Sequence, residues 1–275
     1  MKRFFLRSIF LAALAALVSP AAFGEQLKPE TVAGFDGYVR LSEQRMAGEE
    51  QSGTFLEIDS LPAAQSDVVR AKLKNGDVVI DHLETREDSL VVAVPEGLVH
   101  HWIGTVFVPG ATLAQTIAFL QDYDNQAKYY APDVERSRLV SKNGNEFKVF
   151  LRLRKHKVVT AVLDTNYDVT YRSLGEDRAV CRSVSTRIAE VENPGDKNES
   201  EKPVGDDSGF MWRLNSYWRF EQRDGGTYVQ LEAISLTRDI PAGLSWLVGP
   251  FVNSIPRESL EFTLERTREG LMRSK

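Results

Sequence analysis

The sequence contains a single cysteine, Cys181, and four histidines among 275 residues. One cysteine excludes an intrachain disulfide framework and any metal site built from several thiolates. Acidic residues outnumber basic ones, 39 to 34, so the chain lacks the basic excess of a nucleic-acid-binding protein and we expect no such partner. The sequence also lacks a glycine-rich phosphate loop, a dinucleotide-binding fingerprint and the nucleophile turn of serine hydrolases.

Long hydrophobic runs are also scarce, and the longest lies at the N-terminus. Three basic residues within the first seven positions precede an apolar run at 9–18, and small residues follow up to Gly24. This order is typical of a secretory signal peptide cleaved after Gly24. A permanent anchor is the alternative, but the run is about half as long as a bilayer span. We expect residues 1–24 to be removed and the mature protein to be exported in soluble form, to the periplasm or the medium.

The segment 25–97 has the pattern of a small α+β extension. Apolar residues at helical spacing predict a helix over 29–48, and a further short strand is expected at 90–94. Asn75-Gly76 lies between two runs that look extended, which is typical of a hairpin turn. We find no catalytic constellation in this extension.

From residue 98 to 275 the pattern predicts a second unit, in which strands are followed by a helix. A strand at 101–108 precedes a helix capped by Thr112 and a second helical piece at 125–130. Alternating runs predict six more antiparallel strands, at 134–141, 146–155, 158–172, 178–192, 210–222 and 226–238. The last segment, 242–272, is predicted to be helical, with a kink or break caused by Pro250 and Pro256.

A polar stretch, 193–209, interrupts the strands. It holds seven charged residues and one aliphatic residue. A solvated hairpin tip and a lid over a binding site both account for a loop of this length and polarity.

The order of elements predicts an α+β fold in which a curved seven-stranded antiparallel sheet surrounds the long C-terminal helix. That helix is the only amphipathic segment long enough to cover one face of such a sheet. Because one helix cannot fill the interior of a strongly curved sheet, we expect a cavity between the two. A cavity lined by aromatic and aliphatic side chains suits an apolar ligand with a few polar fixing points.

This order of elements resembles the helix-grip superfamily, which includes START lipid-transfer domains, plant pathogenesis-related allergens and bacterial polyketide cyclases. The segments that carry the resemblance are WIGTVFVPG at 102–110, QDYD at 121–124, WRLNSYWRF at 212–220, and GPF with IPRESL within 249–260. The resemblance covers about residues 98–274 and implies a hydrophobic ligand such as a lipid, sterol, quinone or polyketide. It brings no universal catalytic motif, and the minimal domain has no counterpart of the extension 25–97.

The histidines and the cysteine do not form a reactive set. His100 and His101 are adjacent, so on a strand they point to opposite faces and cannot bind one metal ion together. Cys181 lies in the middle of a predicted strand, which favours a buried, unreactive thiol over a nucleophile. We assign no catalytic residue, no metal ligand and no cofactor.

Carboxylates on two strands are the remaining polar candidates. Asp164 and Asp168 lie opposite an apolar strand face, which favours a solvated outer position over an inward site with raised pKa values. Glu232 shares a face with two aliphatic residues, so we expect it to point inward. There it would be a polar fixing point, paired with Arg213 or Arg187.

The predicted binding site combines the sheet with the last helical segment. Its two tryptophans are the largest members, each able to bury on the order of 200 Å². The predicted ligand-binding residues are Leu163, Tyr167, Trp212, Leu214, Trp218, Glu232, Phe251, Val252 and Ile255.

Three functions are compatible with this site. The favoured one is an exported carrier of a hydrophobic small molecule, which could make transient contact with a membrane. A cyclase or dehydratase acting on a polyketide-like substrate in the same cavity is the second. It is less favoured because carrier-tethered polyketide intermediates are normally cytosolic. The third is a protein-interaction domain with a filled core.

The signal-peptide pattern makes a direct prediction about the mature chain. N-terminal sequencing of the protein from its own host should give a first residue near Glu25, and cell fractionation should recover it outside the cytoplasm. Cytoplasmic protein that retains Met1 would contradict the prediction.

Overall fold

The computed structural model describes residues 25–157, 160–239 and 245–273. Side chains are described from residue 26 onward and, in the last of these segments, from residue 254. Within these ranges, one large antiparallel sheet is covered on its concave face by the C-terminal helix and on its convex face by an N-terminal helix.

The N-terminal segment contains three helices and short strands. Its elements are β1 (Glu25–Gln26), α1 (Pro29–Ser52), α2 (Glu57–Ser60), α3 (Ala63–Asn75), β2 (Val79–His82), β3 (Arg86–Glu87) and β4 (Leu90–Val91). The helix expected at 29–48 is confirmed and runs one turn further, to a C-cap at Gly53 in the left-handed conformation.

The remaining residues form the large sheet and the helices packed against it. The elements are β5 (Gly97–Pro109), α4 (Leu113–Gln121), a 3₁₀ turn (Tyr123–Asn125), α5 (Gln126–Tyr129), β6 (Val134–Asn143), β7 (Glu146–His156), β8 (Thr160–Ser173), β9 (Arg178–Glu192), β10 (Ser200–Glu201), β11 (Asp206–Asp207), β12 (Arg213–Arg223), β13 (Gly226–Arg238) and α6 (Ser245–Arg273). Thr112 caps α4 as expected, since its hydroxyl accepts the Gln115 N–H.

The sheet follows the order β2-β5-β13-β12-β9-β8-β7-β6, with every neighbouring pair antiparallel. All seven strands predicted from the alternation are present. Strand β2 of the N-terminal segment adds one more at the edge, against β5. The predicted α+β fold, a curved antiparallel sheet around a C-terminal helix, is therefore confirmed.

Helix α6 packs mainly on β5 and closes one side of the concave face. Leu260, Leu264 and Leu271 are its buried contacts with the sheet and with α4. The expected break is not observed, because helical backbone continues from Ser245 through both prolines to Arg273.

The hairpin predicted at Asn75-Gly76 is wrong. Residues 63–75 form helix α3, and Gly76 is its C-cap, with a φ of 102°. The N–H groups of Gly76 and Asp77 bond back to the carbonyls of Leu73 and Lys72. The same left-handed glycine that a hairpin turn needs also ends a helix, and Asn-Gly alone does not separate the two.

The polar stretch 193–209 is held against the body of the protein. Its strand β10 pairs with β9, and β11 pairs with β1 at the start of the described chain. Glu190 accepts the N–H of Ser208 at 2.8 Å, and its backbone carbonyl accepts the N–H of Lys202 at 2.8 Å. The stretch is thus not a free hairpin tip, since it packs at one end of the sheet.

Candidate functional site

A cavity of about 1220 Å³ lies between the concave face of the sheet and helix α6. Most of its wall is aromatic or aliphatic, and the side chains come from nearly every strand of the sheet. Typical members are Trp102, Val149, Leu151, Val169, Leu231 and Phe262. The described interior of this fold is therefore not a filled core.

Strand alternation produces this wall. In β12, Leu214, Ser216 and Trp218 face the cavity, while Tyr217 and Arg219, at alternate positions, face the opposite side. Strand β5 places His100 on the cavity side and His101 on the other. The opposed orientation expected for the two histidines is thus observed.

Five of the nine residues predicted to bind the ligand line the cavity. They are Leu163, Tyr167, Leu214, Trp218 and Ile255. Phe251 and Val252 belong to the helical backbone of α6, but their side chains lie outside the described residues. The structure places the other two, Trp212 and Glu232, elsewhere.

Trp212 lies on the convex side of the sheet. A bend at this residue, just before β12, breaks the alternation that would place it beside Leu214. Its ring is buried in a cluster with Phe35 and Tyr38 of helix α1. Its indole N–H donates to Asp207 Oδ1 at 3.0 Å. Trp212 therefore anchors the N-terminal segment and does not line the cavity.

Glu232 also faces the convex side, together with Ile234. Its carboxylate contacts His101 Nε2 at 2.7 Å and accepts a hydrogen bond from the Arg45 guanidinium. The other ring nitrogen of His101, Nδ1, is hydrogen-bonded to the Tyr38 hydroxyl at 2.9 Å. The expected partners Arg213 and Arg187 are wrong. Glu232 does share a face of β13 with Ile234 and Leu236, as the alternation predicts. That face is buried against helix α1 and not against the cavity.

Asp164 is on the outer face, as expected, but it is not solvated. Arg152 donates to both of its carboxylate oxygens at 2.7 Å, and Glu199 of the polar stretch accepts from the same guanidinium. Asp168, further along the strand, pairs with Lys148 at an exposed position. The polar stretch thus covers part of the convex face as well as one end of the cavity.

The charges around the cavity cluster at one end. They come from the C-terminal ends of β7, β9 and β13, which lie at the same end of the sheet, and from the polar stretch. Many are paired with each other, as in Lys155 with Asp133 and Lys202 with Glu190, both at 2.7 Å. We call this end the mouth. The opposite end is lined by Leu120 of α4, Tyr123 of the 3₁₀ turn and Tyr130, which follows α5.

Burial keeps the titratable groups deeper in the cavity neutral at physiological pH. It lowers the pKa of His100 to about 4 and raises the pKa of Cys181 and of Tyr167 to about 12. Desolvation also raises the pKa values of Tyr123 and Tyr171, whose hydroxyls lie 2.9 Å apart. A neutral interior is an environment for apolar groups and not for ions.

Several cavity residues were missed by the sequence reasoning. His100 has the same strand parity as Trp102, and Ser183, Ser216 and Ser235 have cavity-facing positions among apolar neighbours. Alternation divides the residues of a strand into two faces, but it does not say which face points into the cavity. That depends on how the strand pairs with its neighbours, which the sequence alone does not give.

In the described part of the chain, no group of three or more histidine, cysteine, aspartate or glutamate side chains is arranged to hold a metal ion. Among the same residues, no helix combines the length and apolar character needed to cross a membrane.

Neither a protein-family model nor a curated protein matches the sequence. Solved structures of similar fold do exist. A STAR-related lipid transfer protein from Xanthomonas axonopodis is 19% identical with a TM-score of 0.47, over 70% of this chain and 98% of that one. Human STARD10 is 10% identical with a TM-score of 0.44, over 78% of this chain and 81% of that one.

A third similar structure is the Zhui aromatase/cyclase from Streptomyces. It is 12% identical with a TM-score of 0.43, over 64% of this chain and 95% of that one. These likenesses concern the fold alone. The strand order and the position of α6 define the helix-grip architecture of this chain directly.

The raised pKa of Cys181 predicts that its thiol reacts slowly with thiol reagents. At pH 8 a thiol with a pKa of about 12 is ionised to roughly one part in 10⁴, and the thiolate is the reactive form. The folded protein should therefore react with Ellman's reagent at least about 10³-fold more slowly than the protein in 6 M guanidinium chloride. Cys181 is the only cysteine, so the signal is unambiguous. Similar rates in the two states would contradict the burial and the pKa shift.

Proposed function

We propose that the protein is an exported carrier that holds a hydrophobic small molecule in its cavity without transforming it. The cavity of about 1220 Å³, walled mainly by apolar side chains, carries this proposal. Protein interiors pack as densely as organic crystals and rarely leave voids larger than a few water molecules. This volume exceeds the range of about 300–1,000 Å³ typical of pockets for drug-sized ligands, so it suits a lipid-sized occupant.

The neutral side chains of the cavity support a carrier function over an enzymatic one. General acid–base chemistry is most efficient when the pKa of the catalytic group lies near the working pH. The pKa values of His100, at about 4, and of Cys181, at about 12, are shifted far from neutrality in opposite directions. The buried carboxylate of Glu232, predicted from the sequence to be a polar fixing point in the cavity, pairs with His101 and Arg45 on the convex face instead.

The position of the mouth supports loading from a membrane. Val204 of the polar stretch and Phe210, the residue directly after the stretch, have side chains that are 49% and 39% exposed. Exposed apolar side chains next to a cavity entrance suit brief contact with a lipid surface. The signal-peptide pattern supports a site of action outside the cytoplasm, where a hydrophobic molecule needs a protein to carry it through water.

A cavity-filling substitution tests the proposal. Ala233 faces the cavity between Trp102 and Ser216, so Ala233→Phe places a ring in the binding space. Delipidated wild-type protein should bind the neutral dye Nile red and extract a pyrene-labelled diacylglycerol from phosphatidylcholine vesicles. The variant should lose at least about tenfold in affinity for both probes, measured by fluorescence titration.

Two control variants separate the cavity from the mouth. Ala64→Phe adds the same ring at an exposed position on α3 and should bind both probes like the wild type. Phe210→Ser should keep its affinity for Nile red but extract the labelled lipid more slowly. The carrier proposal is excluded if the wild type binds neither probe, or if Ala233→Phe binds both unchanged.

A further inference from the structure

We infer that the cavity wall carries a strip of hydroxyl groups that selects neutral ligands with more than one ester or ketone oxygen. The strip consists of Tyr167, Ser183, Ser216 and Ser235. Each hydroxyl comes from a different strand, and the four strands β8, β9, β12 and β13 are consecutive neighbours in the sheet. This inference rests on the proposed function and adds the chemical class of the ligand.

The sheet register places the four residues in one row across neighbouring strands. Ser183 and Ser216 are directly opposite each other on β9 and β12. Ser235 is one diagonal step from Ser216, because it pairs with Leu214. Tyr167 is one diagonal step from Ser183, because it pairs with Ser185. Three strand spacings of about 4.8 Å each separate β8 from β13, so the strip extends roughly 14 Å across the strands.

The members of the strip lack partners among the described residues. The Tyr167 hydroxyl is buried and makes no hydrogen bond. Its neighbour Thr165 donates instead to the Leu151 carbonyl, at 2.8 Å. The side chains of the three serines likewise make no hydrogen bond to a described residue. Ser185 provides the contrast, because its hydroxyl accepts the Leu214 N–H at 2.9 Å.

Hydroxyls without a protein partner in an apolar wall indicate what the cavity receives, and the fully buried Tyr167 hydroxyl is the costliest of the four to leave unpaired. A buried polar group is normally hydrogen-bonded, and an exception calls for a ligand or a bound water molecule. A ligand that is only a hydrocarbon would leave all four hydroxyls without partners. A molecule with oxygen atoms spaced along its length would satisfy several of them at once.

Charge restricts the class further. The side chains along the strip are hydroxyls, with aliphatic and aromatic residues between them, and the charged groups lie at the mouth. An ionic group at the depth of the strip would lose its hydration without gaining an opposite charge. A hydroxyl donates readily to an ester or ketone oxygen, so a neutral molecule bearing such oxygens fits the strip best.

Three pyrene-labelled probes of matched chain length test the inference: a diacylglycerol, an alkane and a fatty acid. In the wild type the neutral ester probe should bind most tightly. Tyr167→Phe and the double variant Ser183→Ala/Ser216→Ala should each weaken the ester probe about tenfold, because the donors are gone. Their affinity for the alkane should stay within about twofold. Ser141→Ala, a solvent-exposed control, should match the wild type for every probe.

The outcomes distinguish this inference from the carrier proposal. If the variants keep the wild-type ratio of ester to alkane affinity, the hydroxyls of the strip do not bind the ester oxygens of the ligand. The inference then fails, while the carrier proposal stands. A wild type that prefers the fatty acid also overturns the inference. If the wild type binds none of the three probes, the carrier proposal fails and the inference fails with it.

Discussion

The contact between the C-terminal helix and strand β5 at Gly104 is the constraint on which the interior of this protein depends. A Cβ atom at Gly104 would lie 2.7 Å from Leu264 Cδ1 and 3.1 Å from Leu260 Cδ2, so any larger residue there would force these leucine side chains to shift. The helix is thereby fixed on one side of the concave face. Strands β7 and β8, on the other side of this face, direct apolar side chains such as Val149 and Leu163 into the cavity. The cavity is the consequence of that geometry.

The convex face of the sheet depends on the N-terminal segment in the same way. Arg45 and Tyr38 of α1 reach Glu232 and His101 of the sheet, and Arg219 is paired with Glu49 of the same helix at 2.8 Å. Breaking a buried ion pair by removing one partner typically costs about 3–5 kcal/mol, so these contacts couple the two layers. Buried ion pairs and hydrogen bonds are thus concentrated on the convex face, which packs against α1. The concave face, which lines the cavity, has mainly apolar and hydroxyl side chains.

The limits of sequence-based prediction follow from the same two-sided burial. Alternation in β8 and β12 was sufficient to identify Leu163, Tyr167, Leu214 and Trp218, because their strands are regular where these residues lie. It failed for Glu232, since Ile234 and Leu236 on its face are buried against another element and not against the cavity. It failed for Trp212 because the backbone bends there. The hydroxyl strip depends on the register between strands, which a single sequence does not contain.

The most direct test of the account is native mass spectrometry of the mature protein purified from its own host without detergent, followed by organic extraction. A carrier with an apolar cavity of about 1220 Å³ should retain its ligand through purification. The account therefore predicts a mass that exceeds the chain by one neutral hydrophobic molecule, which the solvent releases and which carries ester or ketone oxygens. A mass equal to the bare chain, with nothing hydrophobic in the extract, would contradict it.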